Sequence, residues 1–450
     1  MATYKHSVSL DESKCKGCTT CLKRCPTEAI RIRDGRAVIN PSRCIDCGEC
    51  IRVCPHKAKK AVYDSLDCLN NYKYTIALPA PSLYGQFDNL DNIGYILGGL
   101  KEIGFDSVFE VARAAEIVSA YTRLYLNRPG IVKPVISSAC PAISRIISMN
   151  FPFLCEHVIP LLAPIDIAAR LAKEEALETH PELSPDEIGV FFISPCPAKV
   201  SYVKNGFAGE KNYIDHVVSV RDVYFVLLDE MKKLRENGTD ETTESGMVGI
   251  GWASTGGESA AVFNERYLAA DGIENCIRVL ERIDNEDIHN LDYVELNACS
   301  GGCVGGAMTV ANPYIAQARL QLLKRYLPVS PNRPTEKEIP ETVMAEGGLQ
   351  YTPSAKLSEN REEAMQMMRD IESICKSLPG IDCGSCGAPT CMAFAEDIIK
   401  GDTNSDECTV IMRSLFHEYL KEHEEKAILE GLKPLVPRHN ANQTKTAESK

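Results

Sequence analysis

The stretch ELNACSGGCVGG, from Glu295 to Gly306, sets Cys299 and Cys303 four residues apart among four glycines. Thiolates at this spacing can share one face of a helical turn and reach a common metal, and glycines let the main chain come close to something bulky. Two further cysteines occupy comparable places: Cys140 in VISSACPAI and Cys196 in FFISPCPAKV, each after an apolar run and joined directly to proline. Both thiols are therefore expected at stiff turns just beyond strand ends, where α/β proteins place ligands. One such cysteine alone reads as a small buried hydrophobe. Four of them in three strand-end motifs read as a metal site.

The chain has twenty cysteines in 450 residues and opens MATYKHSVSLDESKC, with no apolar signal region and no apolar run long enough to span a membrane. Disulfide scaffolds are usually short and exported, so these thiols are expected to be reduced or metal-bound in a cytoplasmic protein. The net charge of -13 argues against a general nucleic-acid binder, which needs surplus Lys and Arg. Cys68, Cys155, Cys276 and Cys375 are isolated in sequence and read as packing residues. The other twelve outside the central set fall into three groups.

Two groups form an internal repeat, CKGCTTCLKRCP from Cys15 and CIDCGECIRVCP from Cys44, each of the form C-x2-C-x2-C-x3-C-P. Between them RIRDGRAVIN reads as a hairpin turning at Asp34-Gly35. The repeat resembles the bacterial two-cluster ferredoxin, in which the fourth cysteine of each run crosses to the other cluster. That resemblance implies one 4Fe-4S centre on Cys15, Cys18, Cys21 and Cys54, and another on Cys44, Cys47, Cys50 and Cys25. The third group, Cys383, Cys386, Cys391 and Cys408, has closed four-thiolate spacing that suits a further 4Fe-4S cluster, with a four-cysteine zinc site as the alternative. It resembles the small iron-sulfur domain of corrinoid and electron-transport proteins, which favours iron.

The elements that would position these residues alternate between about Tyr72 and Leu327. YTIALPA, IVKPVISS, IGVFFISP, GMVGIGWAS and DYVELNA read as strands, with IDIAARLAKEEALE and VYFVLLDEMKKLREN as helices between them, which predicts α/β architecture with parallel sheets. A proline-rich segment after Arg325 reads as a linker, SLFHEYLKEHEEKAILEGL as an amphipathic helix, and HNANQTKTAESK as a disordered tail. The expected layout is a small α+β ferredoxin-like domain over 1–65, a two-lobed α/β domain over 70–345, a small mostly helical iron-sulfur domain over 346–436, and a tail over 437–450.

The order SSACP, SPCPAK and ELNACSGGCVGG resembles the three signature motifs of the iron-iron (FeFe) hydrogenase family, in which a two-cluster ferredoxin module in front is also familiar. The resemblance implies a central cubane held by Cys140, Cys196, Cys299 and Cys303, with Cys303 also bridging to a two-iron subcluster that carries CO, CN and dithiolate-amine ligands. It implies that Lys199 donates to a cyanide and that Pro81, Ser82 and Pro195 border the cofactor, with a turn or helix cap as the alternative for Ser82. The chain also departs from the family's fast members. Ala139 occupies the place of their proton-passing cysteine, and Ser194 and Asn297 replace methionines flanking the two-iron unit. Ser119, Ala120 and Tyr121 stand near the expected relay carboxylates. Glu258, in STGGESA, offers another relay, although a glutamate in such a setting usually lies in solvent.

These departures resemble the sensory branch of the family. The implied activity is slow interconversion of H2 with protons and electrons in an anaerobic setting. The implied partners are a redox protein such as a ferredoxin, maturation proteins for the two-iron unit and a signalling partner. The competing reading is a hydrogenase-like iron-sulfur assembly or electron-transfer protein without the two-iron subcluster.

Overall fold

In the computed structural model, which describes residues 5–205, 212–354 and 357–422, the short strands of the cysteine repeat come first. β1 (Val8–Leu10) is followed by β2 (Ile30–Arg33), β3 (Arg36–Ile39) and β4 (Lys59–Ala61). β2 and β3 pair antiparallel around Asp34 and Gly35, whose φ values of 49° and 71° are those of the tight hairpin turn read from DG. β1 pairs antiparallel with β4. The repeat is structural as well as sequential. Cys25 Sγ accepts from Ala29 N and Cys54 Sγ from Ala58 N, each at 3.3 Å, and Glu28 and Lys57 both have φ of 50°.

The longer strands are β5 (Tyr74–Pro79), β6 (Ser107–Val108), β7 (Val135–Ile136), β8 (Ile188–Ser194), β9 (His216–Ser219), β10 (Tyr267–Asp271) and β11 (Tyr293–Asn297). They form two parallel sheets, ordered β6-β5-β8-β9 and β10-β11-β7. All seven residues of β8 are buried. Val190 and Phe192 enter one apolar core while Phe191 and Ile193 enter another, as a strand covered on both faces requires. β7 is shorter than IVKPVISS suggests, because Pro134 has no N–H to pair and the ladder begins at Val135. The helices Pro164–Thr179 and Val220–Asn237 lie where the periodicity predicts them.

GMVGIGWAS is a correction. It forms the helix Met247–Gly251, not a strand. The Gly246 N–H donates to the buried carboxylate of Glu116, and a Cβ on Gly249 would stand 2.1 Å from Ala112 O. These glycines serve close helix packing, which an apolar run alone does not distinguish from a buried strand.

The described residues form two compact units, one from the first residues to Lys14 with Pro41–Ser354, and the other Cys15–Asn40 with the described part of the C-terminal segment. The first cysteine run thus shares a unit with the C-terminal segment, and the second run shares one with both parallel sheets. The C-terminal segment contains the helices Arg361–Ser377, Cys391–Ile399 and Thr409–Glu422. The remainder of the expected amphipathic helix, and the tail, lie outside the described residues.

Candidate metal centre

The C-terminal ends of both parallel sheets deliver their loops to one cavity of about 100 Å³. β5 leads into Pro81 and Ser82, β8 into Pro195 and Cys196, β7 into Ala139 and Cys140, and β11 into Asn297, Cys299 and Cys303, all on its wall. Cys140 precedes the helix Pro141–Asn150 and Cys196 precedes Pro197–Asn205, so prolines set both turns as expected. Each thiol is favoured as an anion by a helix-start N–H, from Ile143 and Lys199 respectively.

The thiols resist ionising together. Burial, then the charges of Cys299 and Cys140, pushes Cys196 up to about 12. Desolvation by the surrounding protein, then the three other thiols, raises Cys303 well above the usual range even though its side chain is exposed, and burial raises Cys140. A bound cationic metal group relieves this repulsion, so the donor set fits an iron-sulfur centre.

Cys299 and Cys303 do not share a helical face, as their spacing suggested. Gly301 and Gly302, with φ of 81° and 85°, turn the chain between them. The glycines accommodate neighbouring backbone: a Cβ on Gly302 would lie 2.6 Å from Thr255 N, and one on Gly306 would lie 2.2 Å from Pro195 O. The loop of Cys303 is thereby pressed against the loop of Cys196.

Lys199 lines the cavity, its Nζ 4.8 Å from the centre of the Tyr202 ring, and its charge favours the anions of Cys140, Cys196 and Cys303. Ser82 is fully buried, and its Oγ has no hydrogen-bond partner among the described residues. It caps nothing: Ala80 is the N-cap of the 3-10 turn Pro81–Gln86. A buried orphan hydroxyl on a cavity wall calls for an acceptor inside the cavity.

Ser194 is fully buried but is not among the lining residues. Its hydroxyl donates to Cys196 O at 3.0 Å and accepts from Cys196 N, stiffening the cysteine turn. Ser119 Oγ donates to Ala115 O and accepts from Trp252 Nε1, tying down an indole on the cavity wall. Tyr121 donates to Glu336. Neither Ser119, Ala120 nor Tyr121 lines the cavity.

Glu258 corrects the solvent expectation, for it is 7% exposed and lines the cavity. Its Oε1 accepts from Ser137 Oγ at 2.7 Å and Tyr293 OH at 2.5 Å, and Ser137 Oγ also accepts from Ala139 N. Burial first, then the charge of Glu295, raises Glu258. Burial raises Glu295 as well, and its hydrogen bonds from Gly256 N, Ser259 N and Asn297 Nδ2 partly offset this by favouring its anion. Within the pair, burial and the charge of Glu295 favour keeping a proton on Glu258. Glu295 was missed in sequence because it reads as an ordinary strand residue; its signal was an acid inside an otherwise apolar buried strand.

Arg52 was missed too. From the second cysteine run its Nη1 donates to Gly305 O at 3.0 Å and approaches Cys299 Sγ at 3.5 Å, while Nη2 donates to Cys47 O. One guanidinium thus spans the Cys47 run and the central loop. Arg145 Nε donates to Cys44 O. In the other unit, Cys383, Cys386, Cys391 and Cys408 line one cavity, a set fit for a cluster. Cys155 and Cys276 are buried packing residues, as expected.

A family model described as the iron only hydrogenase large subunit, C-terminal domain, matches residues 73–269 and 263–307. The chain belongs to this family. A 4Fe-4S dicluster domain model matches residues 7–55, and an Fe-S cluster model matches 378–410. The periplasmic [Fe] hydrogenase large subunit of Nitratidesulfovibrio vulgaris is 30% identical over 213 residues, 43% of this chain and 50% of that one. Iron hydrogenase 1 of Clostridium pasteurianum is 24% identical over 304 residues, 54% and 51% of the two chains. The chain thus spans about half the length of these curated relatives. A solved [FeFe]-hydrogenase structure aligns with a TM-score of 0.46 at 17% identity, over 62% of this chain and 95% of that one. No helix among the described residues is long and apolar enough to cross a membrane.

Proposed function

We propose that the chain is an FeFe hydrogenase-type oxidoreductase that interconverts H2 with protons and electrons at low turnover, in a sensory role. The observation that carries this reading is the convergence of Cys140, Cys196, Cys299 and Cys303 on one cavity that also presents Lys199 and the orphan hydroxyl of Ser82. The four thiolates would hold a cubane. Cys303 would carry from it a two-iron unit with carbonyl, cyanide and dithiolate-amine ligands, which supplies the H2 chemistry when bound.

The chain's own residues orient that unit and supply protons. The Lys199 ammonium and Ser82 hydroxyl donate to anionic or acceptor groups in the cavity. Pro81 and Pro195 shape its wall and exclude water. Ala139 has nothing to donate. The proton store on the cavity wall is Glu258, next to Ser137: it would give its proton inward and be reprotonated from solvent, a return that the charge of Glu295 favours. Accessory 4Fe-4S clusters on the two ferredoxin runs and the C-terminal set would carry electrons to and from a redox partner protein.

Replacing Cys303 with Ser tests the assignment. The expected result is loss of the two-iron unit and of H2-dependent H/D exchange, with the accessory clusters retained. Retained exchange at wild-type rates would contradict it.

A further inference from the structure

The first ferredoxin run and the C-terminal cysteine set belong to one compact unit, and the contacts between them are made at the cluster-binding loops themselves. Lys23, between Cys21 and Cys25, donates to Asp382 O and, at 2.9 Å, to Pro389 O. Asp382 directly precedes Cys383, and its Oδ1 accepts from Cys391 N at 2.6 Å. One ammonium from the first run is therefore bonded to the loop that presents Cys383, Cys386 and Cys391.

The backbones touch as well. A Cβ on Gly384 would stand 3.2 Å from Lys23 Cδ and 3.3 Å from Leu22 Cδ2, and one on Gly387 would stand 2.2 Å from Ile32 O. Ile32 N donates to Gly387 O at 2.8 Å. The buried carboxylate of Asp397 clamps the pair, accepting from Arg31 Nε at 2.7 Å and Arg33 Nη2 at 2.6 Å. A site that only pinned the C-terminal helices would need no cation shared with a second cysteine loop, nor glycines that remove the side chains between the two.

We infer that the C-terminal four-cysteine site is the electron-transfer neighbour of the centre that Cys15, Cys18 and Cys21 would hold, with Lys23 as the residue joining them. This rests on the reading that both sets bind 4Fe-4S clusters. The step is a one-electron exchange: the centre that gives the electron is oxidised, the other is reduced, and no bond or proton moves. The redox partner protein or, in the test below, dithionite supplies the electrons. A cation bonded to one cysteine loop and rooted in the other favours the reduced form of both centres.

The test uses the full chain with its 4Fe-4S clusters reconstituted and no two-iron unit added, so it is independent of H2 chemistry. Iron, sulfide and zinc are measured first, and iron in the C-terminal site is required; zinc there overturns the inference. In a Cys47→Ser background, which removes the other ferredoxin centre, the dithionite-reduced protein should show spin-spin broadening in its paramagnetic resonance spectrum. That broadening should disappear when Cys386→Ser is added. A Cys47→Ser spectrum that is the simple sum of isolated centres overturns the inference. Lys23→Met in the otherwise wild-type chain gives a second reading that does not require losing a cluster. Redox titration should move the signals of the C-terminal centre and the first ferredoxin centre together to more negative potential. A shift in only one of them, or in neither, also overturns it.

Discussion

At position 139 a methyl group borders the cavity, and the hydroxyl of Ser137, which accepts from Ala139 N, is bonded to Glu258. Two predictions follow from that geometry. Ala139→Cys should raise H2 evolution at equal cofactor loading, by less than the ~10²–10⁴-fold that a complete acid-base relay supplies, because Ser119 is committed to Trp252 and does not line the cavity. Glu258→Gln should lower turnover and H/D exchange by about 10²-fold while leaving cofactor loading unchanged. An unchanged rate would remove Glu258 from the route. Lys199→Ala should weaken retention of the two-iron unit by roughly 1.5–3 kcal/mol, the usual worth of a hydrogen bond to a charged group, measured by cofactor titration. The cysteines were legible one by one because thiolate chemistry is written in their spacing. The setting of Glu258 was not, because its burial is decided by Tyr293 and Ser137, 35 and 121 positions away.

Among the elements, the loop after β11 shows what spacing alone misses. Its glycines were read as room for a bulky ligand, yet Gly302 and Gly306 make room for Ser254–Thr255 and Pro195. Gly302→Ala would place a Cβ against backbone at a φ of 85°, at a cost of ~1–3 kcal/mol. It should lower the melting temperature and reduce central cluster content together. At the opposite end of the same sheet, Asp292 accepts from Lys133 Nζ at 2.8 Å, Asn264 Nδ2 at 3.0 Å and Arg266 Nη2 at 2.8 Å, which hold its carboxyl down to about 2. Its folded value lies below the unfolded one near 3.9, so its stabilisation is present above about pH 4 and is lost as pH falls toward 2. The gap in melting temperature between wild type and Asp292→Asn should therefore be full at pH 7 and close under acid. The strands β5, β8 and β11 were readable because buried parallel strands are continuous apolar runs. The two-residue strand β6 and the helix Met247–Gly251 were not, and β7 is shorter than its apolar run, because tertiary packing decides them.

Across the whole molecule, cysteine runs that the sequence orders as front module, centre and end are regrouped by the fold. Arg52 and Arg145 hold the second ferredoxin run to the central loops, and Lys23 with the Asp397 clamp holds the first run to the C-terminal set. Nothing in the spacing of single motifs reveals this, because the joining residues are ordinary surface types in sequence. Four four-thiolate sets imply about sixteen irons as cubanes before any two-iron unit is added, and anaerobic reconstitution should saturate near that figure. The central claim is that the cavity at the ends of the two sheets carries a two-iron unit of the hydrogenase type. Infrared spectroscopy of the full chain matured with the two-iron cofactor tests it most directly. The account predicts carbonyl and cyanide stretching bands that are absent from Cys303→Ser and altered in Lys199→Ala. A fully iron-loaded protein that shows no such bands would contradict it and leave a chain that carries electrons through cubanes alone.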